Sequence, residues 1–255
     1  MAQRKTRVLV GAGSFVDAQA ALHIAARLAE EMIADLGGLL IEEADVMDTY
    51  RLPNQRIISS SGAVMMAPSS AQLRTLLNAD ANAFRRRLAD IARPPHMEWT
   101  FERQTGDLLE CFIDVGRAWD VLIFGNRTIH VVPGSVIFLG SPSAGDDEAL
   151  RFSAMLARRL ATGLAIFSVG KADIPWPRAR NSRFGTLDAA LTQMARTNAQ
   201  TIVIDMKRGP VRDREQLRAV LDVARCPVVI LGAVALEPKL EYATYIPPAP
   251  ESGPD

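Results

Sequence analysis

Two stretches read alike: Val8-Leu-Val-Gly-Ala-Gly-Ser-Phe-Val-Asp17 and Ile137-Phe-Leu-Gly-Ser-Pro-Ser-Ala-Gly-Asp146. Each is a short apolar run, then a glycine, a serine two or three residues on, and an aspartate. Ser14 to Asp17 and Ser143 to Asp146 share the Ser-x-x-acid spacing of a helix N-cap, with the acid near the positive end of the helix dipole. Such a cap contributes about 1 kcal/mol. Helical periodicity follows in both copies: Leu22, Ala26, Ala29, Met32 and Ile33 share one face, and Leu150, Ala154, Ala157, Leu160 and Ala161 share the other copy's. Each helix leads to a second strand, Leu39–Ile41 or Ala165–Phe167, after a helix end marked by Gly37 or Gly163.

A second matching pair lies downstream. Gly106-Asp-Leu108, Phe112 and Val115 lead into Val121-Leu-Ile-Phe124, and Gly185-Thr-Leu187, Leu191 and Met194 lead into Ile202-Val-Ile204. Strand, helix and strand recurring in this way specify a parallel sheet with crossover helices. The expected fold is therefore an α/β, Rossmann-like parallel sheet with helices on both faces, built from two pseudo-repeated units at 1–132 and 133–236, with a disordered tail at 237–255. The first unit carries an insertion, 45–93. It opens as a polar, turn-prone run and continues as a helix over 71–92, with Leu73, Leu76, Leu77, Phe84, Leu88 and Ile91 inward, before a strand at 97–101. The second unit has only the Pro- and Arg-rich connector 174–183 there, but adds a helix over 212–224 and the strand Val228–Leu231.

Composition narrows the function. The 255 residues are 48% hydrophobic and 23% charged, enough apolar matter for a sizeable core. Lys plus Arg and Asp plus Glu both number 29, so no overall basic footprint draws the chain to nucleic acid or an anionic membrane. No apolar run reaches the ~20 residues of a membrane span. Two cysteines, Cys111 and Cys226, make neither a disulfide framework nor a zinc site by themselves. The expected setting is reduced and cytoplasmic.

The strand, the Gly-Ser turn, the long alanine-rich helix and the closing Cys226-Pro-Val-Val-Ile-Leu231 resemble universal stress protein domains, in the arrangement of the family's tandem members, over roughly residues 6–232. The resemblance implies a five-stranded parallel sheet per unit, dimerisation or tandem pairing, and ATP binding in some members. ATP-binding members place Asp-Gly-Ser after the first strand; Ala12-Gly13-Ser14 and Ser141-Pro142-Ser143 stand here. They also carry G-x2-G-x9-G-(S/T) after the fourth strand, glycines that let backbone amides close on phosphate. Gly125 supplies the first glycine, Thr128 replaces the second, and Gly134-Ser135 arrives four residues early. After Ile204 the second unit has only Gly209.

The resemblance implies Gly11, Ala12, Gly13, Ser14, Ile41, Gly125, Gly134 and Ser135 as the nucleotide-binding residues if a pocket is retained. The leading expectation is a non-catalytic binding and stress-response module, its pocket lost or remodelled, without a cofactor. The alternative keeps ATP in the first unit. A third reading takes Gly11-Ala-Gly13 as a dinucleotide fingerprint and the protein as an NAD(P)-dependent oxidoreductase, although its third position is Val16.

Other features have structural readings. His23, His96 and His130 lack metal-ligand spacing, and Ser14 and Ser143 lack the G-x-S-x-G elbow of hydrolases. Asp146-Asp-Glu148 complements a helix dipole. Arg85-Arg-Arg87 and Arg158-Arg159 face water. The 45–70 stretch, with Val64-Met-Met66, is long enough to serve as a lid or partner contact. The last strand, Val228–Leu231, is expected to be exposed and to pair with another copy, giving a homodimer; an unidentified protein partner is expected as well.

Overall fold

The computed structural model describes residues 6–29, 32–43, 56–58, 64–66, 69–93, 97–126, 134–142 and 148–236. The first half runs β1 (Thr6–Ala12), α1 (Phe15–Ala29), β2 (Ile33–Glu43), β3 (Arg56–Ile58), β4 (Val64–Met66), α2 (Ser70–Ile91), β5 (Glu98–Gly106), α3 (Leu108–Gly116) and β6 (Val121–Phe124). The second runs β7 (Ser135–Gly140), α4 (Glu148–Arg159), β8 (Leu164–Val169), β9 (Arg180–Phe184), α5 (Leu187–Met194), β10 (Ala199–Asp205), α6 (Arg214–Val223) and β11 (Val228–Leu231), closed by a short 3-10 turn at Ala233–Ala235. No helix among the described residues is long and apolar enough to cross a membrane.

Nine strands form one sheet in the order β5-β2-β1-β6-β11-β10-β7-β8-β9, while β3 and β4 pair as a separate antiparallel ribbon. Leaving the ribbon aside, each half places its third, second, first and fourth strands side by side, and all pairings within a half are parallel. Among the described residues, only the second half adds a fifth strand. That strand, β11, lies parallel to β10 and antiparallel to β6, with Val228 opposite Phe124 and Leu231 opposite Val121. One fifth strand thus joins both halves into a single sheet. The pseudo-repeat is present, with four described sheet strands rather than five in its first copy.

The expectation that β11 is an exposed edge is corrected. Val228, Val229 and Ile230 are fully buried, because a strand apolar at every position is stable only with both faces covered and both neighbours paired. The true edges are β5 and β9, whose Glu98-Trp-Thr-Phe-Glu-Arg-Gln-Thr-Gly106 and Arg180-Asn-Ser-Arg-Phe184 carry exposed charges. The route to a dimer through Val228–Leu231 is closed by the chain itself.

Two apolar layers cover the sheet. Residues of α1, α2 and α4 pack on one face around Leu22, Phe84, Leu88 and Leu156, and those of α3, α5 and α6 pack on the other around Phe112, Leu191, Met194 and Leu217. Four local expectations change. The second strand begins at Ile33, so Ile33 is a strand residue and Gly37 and Gly38 lie inside β2. A Cβ at Gly37 would sit 2.6 Å from the Trp119 ring, and one at Gly38 would sit 2.2 Å from Leu88. These glycines admit neighbouring side chains rather than ending a helix. Gly163 does not end α4 either: Ala161, at φ 51, takes the left-handed position, and Thr162 N–H reaches Ala157 O at 2.9 Å. Leu76 is 58% exposed, because the first turns of α2 run past the sheet and only Ala81, Phe84, Leu88 and Ile91 are buried. Finally, the 174–183 connector runs into β9, Arg180–Phe184, a polar edge strand with no apolar alternation to announce it.

Candidate functional site

Parallel α/β sheets place ligands beyond the carboxyl ends of their strands, where the first strand's neighbours lead to opposite sides. In the first half that position lies between β1 and β6, and the sequence-derived residues gather there. Gly11 and Ala12 end β1, Gly13 and Ser14 turn into α1, Ile41 is near the end of β2, and Gly125 follows β6, its N–H donating to Gly11 O at 2.7 Å.

Gly134 and Ser135 do not join them. They open β7, which is paired at its start with Ala199 of β10. Because β11 runs antiparallel to β6, this is the same margin of the sheet as Gly125, but three strand positions away, roughly 14 Å at ~4.8 Å per strand. A Cβ on Gly134 would stand 2.2 Å from Asn198 O, so this glycine serves the close approach of β7 and β10. The chain after Gly125 also turns away: the Asn126 side-chain amide donates to Ala224 O at 2.7 Å, at the end of α6. Thr128 lies outside the described residues.

The glycines at the cradle have internal reasons. A Cβ at Gly11 would lie 2.2 Å from the Phe112 ring, and one at Gly125 would lie 2.8 Å from Ala12 Cβ and 3.0 Å from Asp17 O. At Gly13 the nearest atoms are at ordinary contact distance: Leu108 Cδ2 at 3.7 Å, with Glu43 Oε1 and Ile41 O at 3.8 Å.

The amino end of α1, whose unpaired N–H groups and dipole suit an anion, is partly satisfied by the chain itself. Phe15 N–H donates to Asp80 Oδ2 at 3.1 Å, a carboxylate delivered by α2 of the inserted segment. Asp17 N–H donates to Ser14 Oγ at 3.2 Å, and the Ser14 hydroxyl donates to Asp17 Oδ2 at 2.6 Å. The expected cap at Ser14 is therefore present; Ser143 and Asp146 lie outside the described residues. Three carboxylates, Asp17, Asp80 and Glu43, border the turn. Among the described residues the nearby cation Arg103 is engaged: it pairs with Glu42 and donates to Asn78 Oδ1 at 2.8 Å. Nothing in the sequence signals Asp80, which sits 65 residues from Phe15 in an insertion without a motif.

The corresponding margin of the second half folds on itself. Asp205 Oδ1 accepts Lys207 N–H at 2.8 Å, Gly209 N–H returns to Asp205 O at 2.7 Å, and Arg212 donates to Lys207 O at 2.7 Å.

The reactive side chains are dispersed. Cys226 is buried, which pushes its thiol up to about 12, and Cys111 is raised as well, by burial and then by Asp107 and Asp114. Neither is a thiolate near neutrality. Burial, then Arg27 and Arg87, lowers the pKa of His23 on α1. His96 and His130 lie outside the described residues, as does most of the 45–70 stretch, of which Val64–Met66 is described as the strand paired with Arg56–Ile58. Val16, the third position of the dinucleotide fingerprint, is 51% exposed and makes no close helix–strand contact of the kind that motif requires. A different polar cluster, unforeseen in the sequence, joins the halves on the face opposite α1: Arg214 of α6 pairs with Glu110 and, at 3.0 Å, with Asp114 of α3, and Arg218 pairs with Asp107 at 3.2 Å.

No protein-family model matches the chain, and no curated protein matches it. Among solved structures it is similar to a universal stress protein from Archaeoglobus fulgidus DSM 4304, at 10% identity and a TM-score of 0.49 over 89% of this chain and 96% of that one. A protein of Pseudomonas aeruginosa UCBPP-PA14, provisionally named a universal stress protein, is similar at 12% identity and a TM-score of 0.49, over 90% and 94% of the two chains. A functionally unknown protein of Pseudomonas aeruginosa PAO1 is similar at 11% identity and a TM-score of 0.43, over 89% and 92%.

Proposed function

We propose that the chain is a non-catalytic, universal-stress-protein-like binding module whose first-half phosphate cradle is closed from within. The observation that carries this reading is the Asp80 carboxylate on the Phe15 amide. A side-chain carboxylate there takes the hydrogen bond and the dipole interaction that a phosphate would use, and it repels the phosphate's charge. Asp17 and Glu43 add to the same negative field. The second-half margin supports the reading too, since Arg212 is turned onto the loop's own carbonyls rather than outward.

The competing reading, ATP held in the first half, draws on the convergence of Gly11, Gly13, Ser14 and Gly125 at one margin. It requires Asp80 to leave the helix end. Denaturing the purified protein and analysing the released small molecules by mass spectrometry separates the two. The closed cradle predicts no adenine nucleotide; near-stoichiometric ATP or ADP overturns it.

A further inference from the structure

In the first half, the crossover from β2 to β5 includes α2, a helix of 22 residues whose later turns, from Ala81 to Ile91, cover the sheet beside α1. The equivalent crossover of the second half, residues 170–179, contains no helix. No described helix takes the pseudo-symmetric place of α2, and a cavity of about 590 Å³ opens between α4, the start of β8 and this crossover. That volume is within the range of small-molecule sites.

Its lining is chemically one-sided. Arg151, Arg158 and Arg178 border it, the Trp176 indole forms one wall, and Ala157 and Leu164 contribute apolar surface; among the described residues no acidic side chain lines it. Arg158 and Arg178 have no carboxylate partner among the described residues. The backbone adds a separate observation. Trp176-Pro177-Arg178-Ala179 is a tight turn, with Ala179 N–H bonded to Trp176 O at 3.3 Å, and Arg178 at its third position has φ 63. A proline-led turn with positive φ at that position calls for glycine or asparagine. An arginine there strains the backbone while setting a guanidinium at the cavity, and strain held in place in this way marks functional positions.

We propose that this cavity binds a flat aromatic carboxylate, its ring against Trp176 and the apolar wall and its carboxylate on Arg158 and Arg178. Guanidinium matches a carboxylate in bidentate geometry, and an indole offers a face for stacking. The site is on the other side of the second half from its strand carboxyl ends and does not depend on the state of the first-half cradle.

The test is calorimetric titration of the full chain with 2-naphthoate, compared with its neutral analogue 2-naphthamide and with inorganic phosphate. Saturable binding of 2-naphthoate is expected, with the other two probes at least tenfold weaker, on the order of one 1.4 kcal/mol step. Arg178→Gly and Arg158→Gln should each weaken it at least fivefold. Arg178→Gly should also keep or raise the melting temperature, since glycine relieves the turn, so a loss of binding there cannot be ascribed to unfolding. Absence of saturable 2-naphthoate binding, equal binding of the amide, or wild-type affinity in both variants overturns the proposal.

Discussion

Gly13 and Gly125 look equivalent in the sequence, each a glycine just beyond a strand, but their surroundings give opposite predictions. At Gly125 an added methyl meets Ala12 Cβ at 2.8 Å and the backbone of Asp17 and Ala18 at 3.0 and 3.1 Å, atoms fixed by the entry of α1. Gly125→Ala should therefore cost about 1–3 kcal/mol, the range of overpacking. At Gly13 the nearest atom is 3.7 Å away, so Gly13→Ala should stay within about 0.5 kcal/mol of wild type. Urea denaturation of the two variants checks the contrast. A nucleotide cradle would add a loss of binding at Gly13, where stability alone predicts tolerance. Ala161 gives a prediction of opposite sign. It holds the left-handed position at φ 51 after α4, which glycine adopts without strain, so Ala161→Gly should stabilise the fold by about 0.5–1 kcal/mol, read as a higher urea midpoint. The sequence shows a glycine close by at Gly163, but which of two neighbouring residues turns left-handed depends on where α4 stops. That stop is set by packing under the helix.

At the scale of elements, the cap at Ser14 and the apolar strands were legible because their causes are local. Ser14 Oγ accepts Asp17 N–H, and Val121–Phe124 and Val228–Leu231 are strands where continuous apolar runs demand them, whereas the caps at Asp107, Thr186 and Asp213 emerge only in the structure. The edges were not legible: β9 is held by pairing to β8, which no alternation in Arg180–Phe184 announces. Nor were cross-element polar contacts, which arise from sequence separations of 65 residues at Asp80 and 111 at Arg218. The α3–α6 junction has a pH signature. Burial raises the Asp107 carboxyl, but hydrogen bonds from the Glu110 amide and Arg218 outweigh it and leave it below its ordinary 3.8. A depressed folded value means the ionised form favours the folded state. Its contribution is complete above 3.8 and is lost as pH falls below 3.8 through the folded value. Asp107→Asn should lower stability at about pH 6 and narrow the difference between about pH 6 and about pH 3. Urea midpoints at both pH values test this, and an unchanged pH slope contradicts it.

For the whole molecule, the decisive element is β11. The repeat was visible in the sequence because both halves use the same strand–helix–strand chemistry. That one fifth strand serves both halves was not, since an apolar strand fits an edge in an oligomer as well as the centre of a longer sheet. Its position couples the halves. Ile230 is fully buried on β11, and Ile230→Asp places an unpartnered charge there, at a cost of several kcal/mol. The loss should reach both ends of the sheet together. Trp99 lies on the β5 edge and Trp176 beside the β9 edge, so chains retaining either as the sole tryptophan report on opposite ends. Coincident unfolding curves are expected for a single cooperative sheet; well-separated midpoints would show halves that fold independently.

The proposal that Asp80 closes the cradle is tested most directly by calorimetric titration of the full chain with ATP and Mg²⁺. No saturable heat is expected up to about 1 mM nucleotide, a binding free energy no stronger than about −4 kcal/mol. A dissociation constant near 1 μM, about −8 kcal/mol, would contradict it and make the first half a working nucleotide receptor.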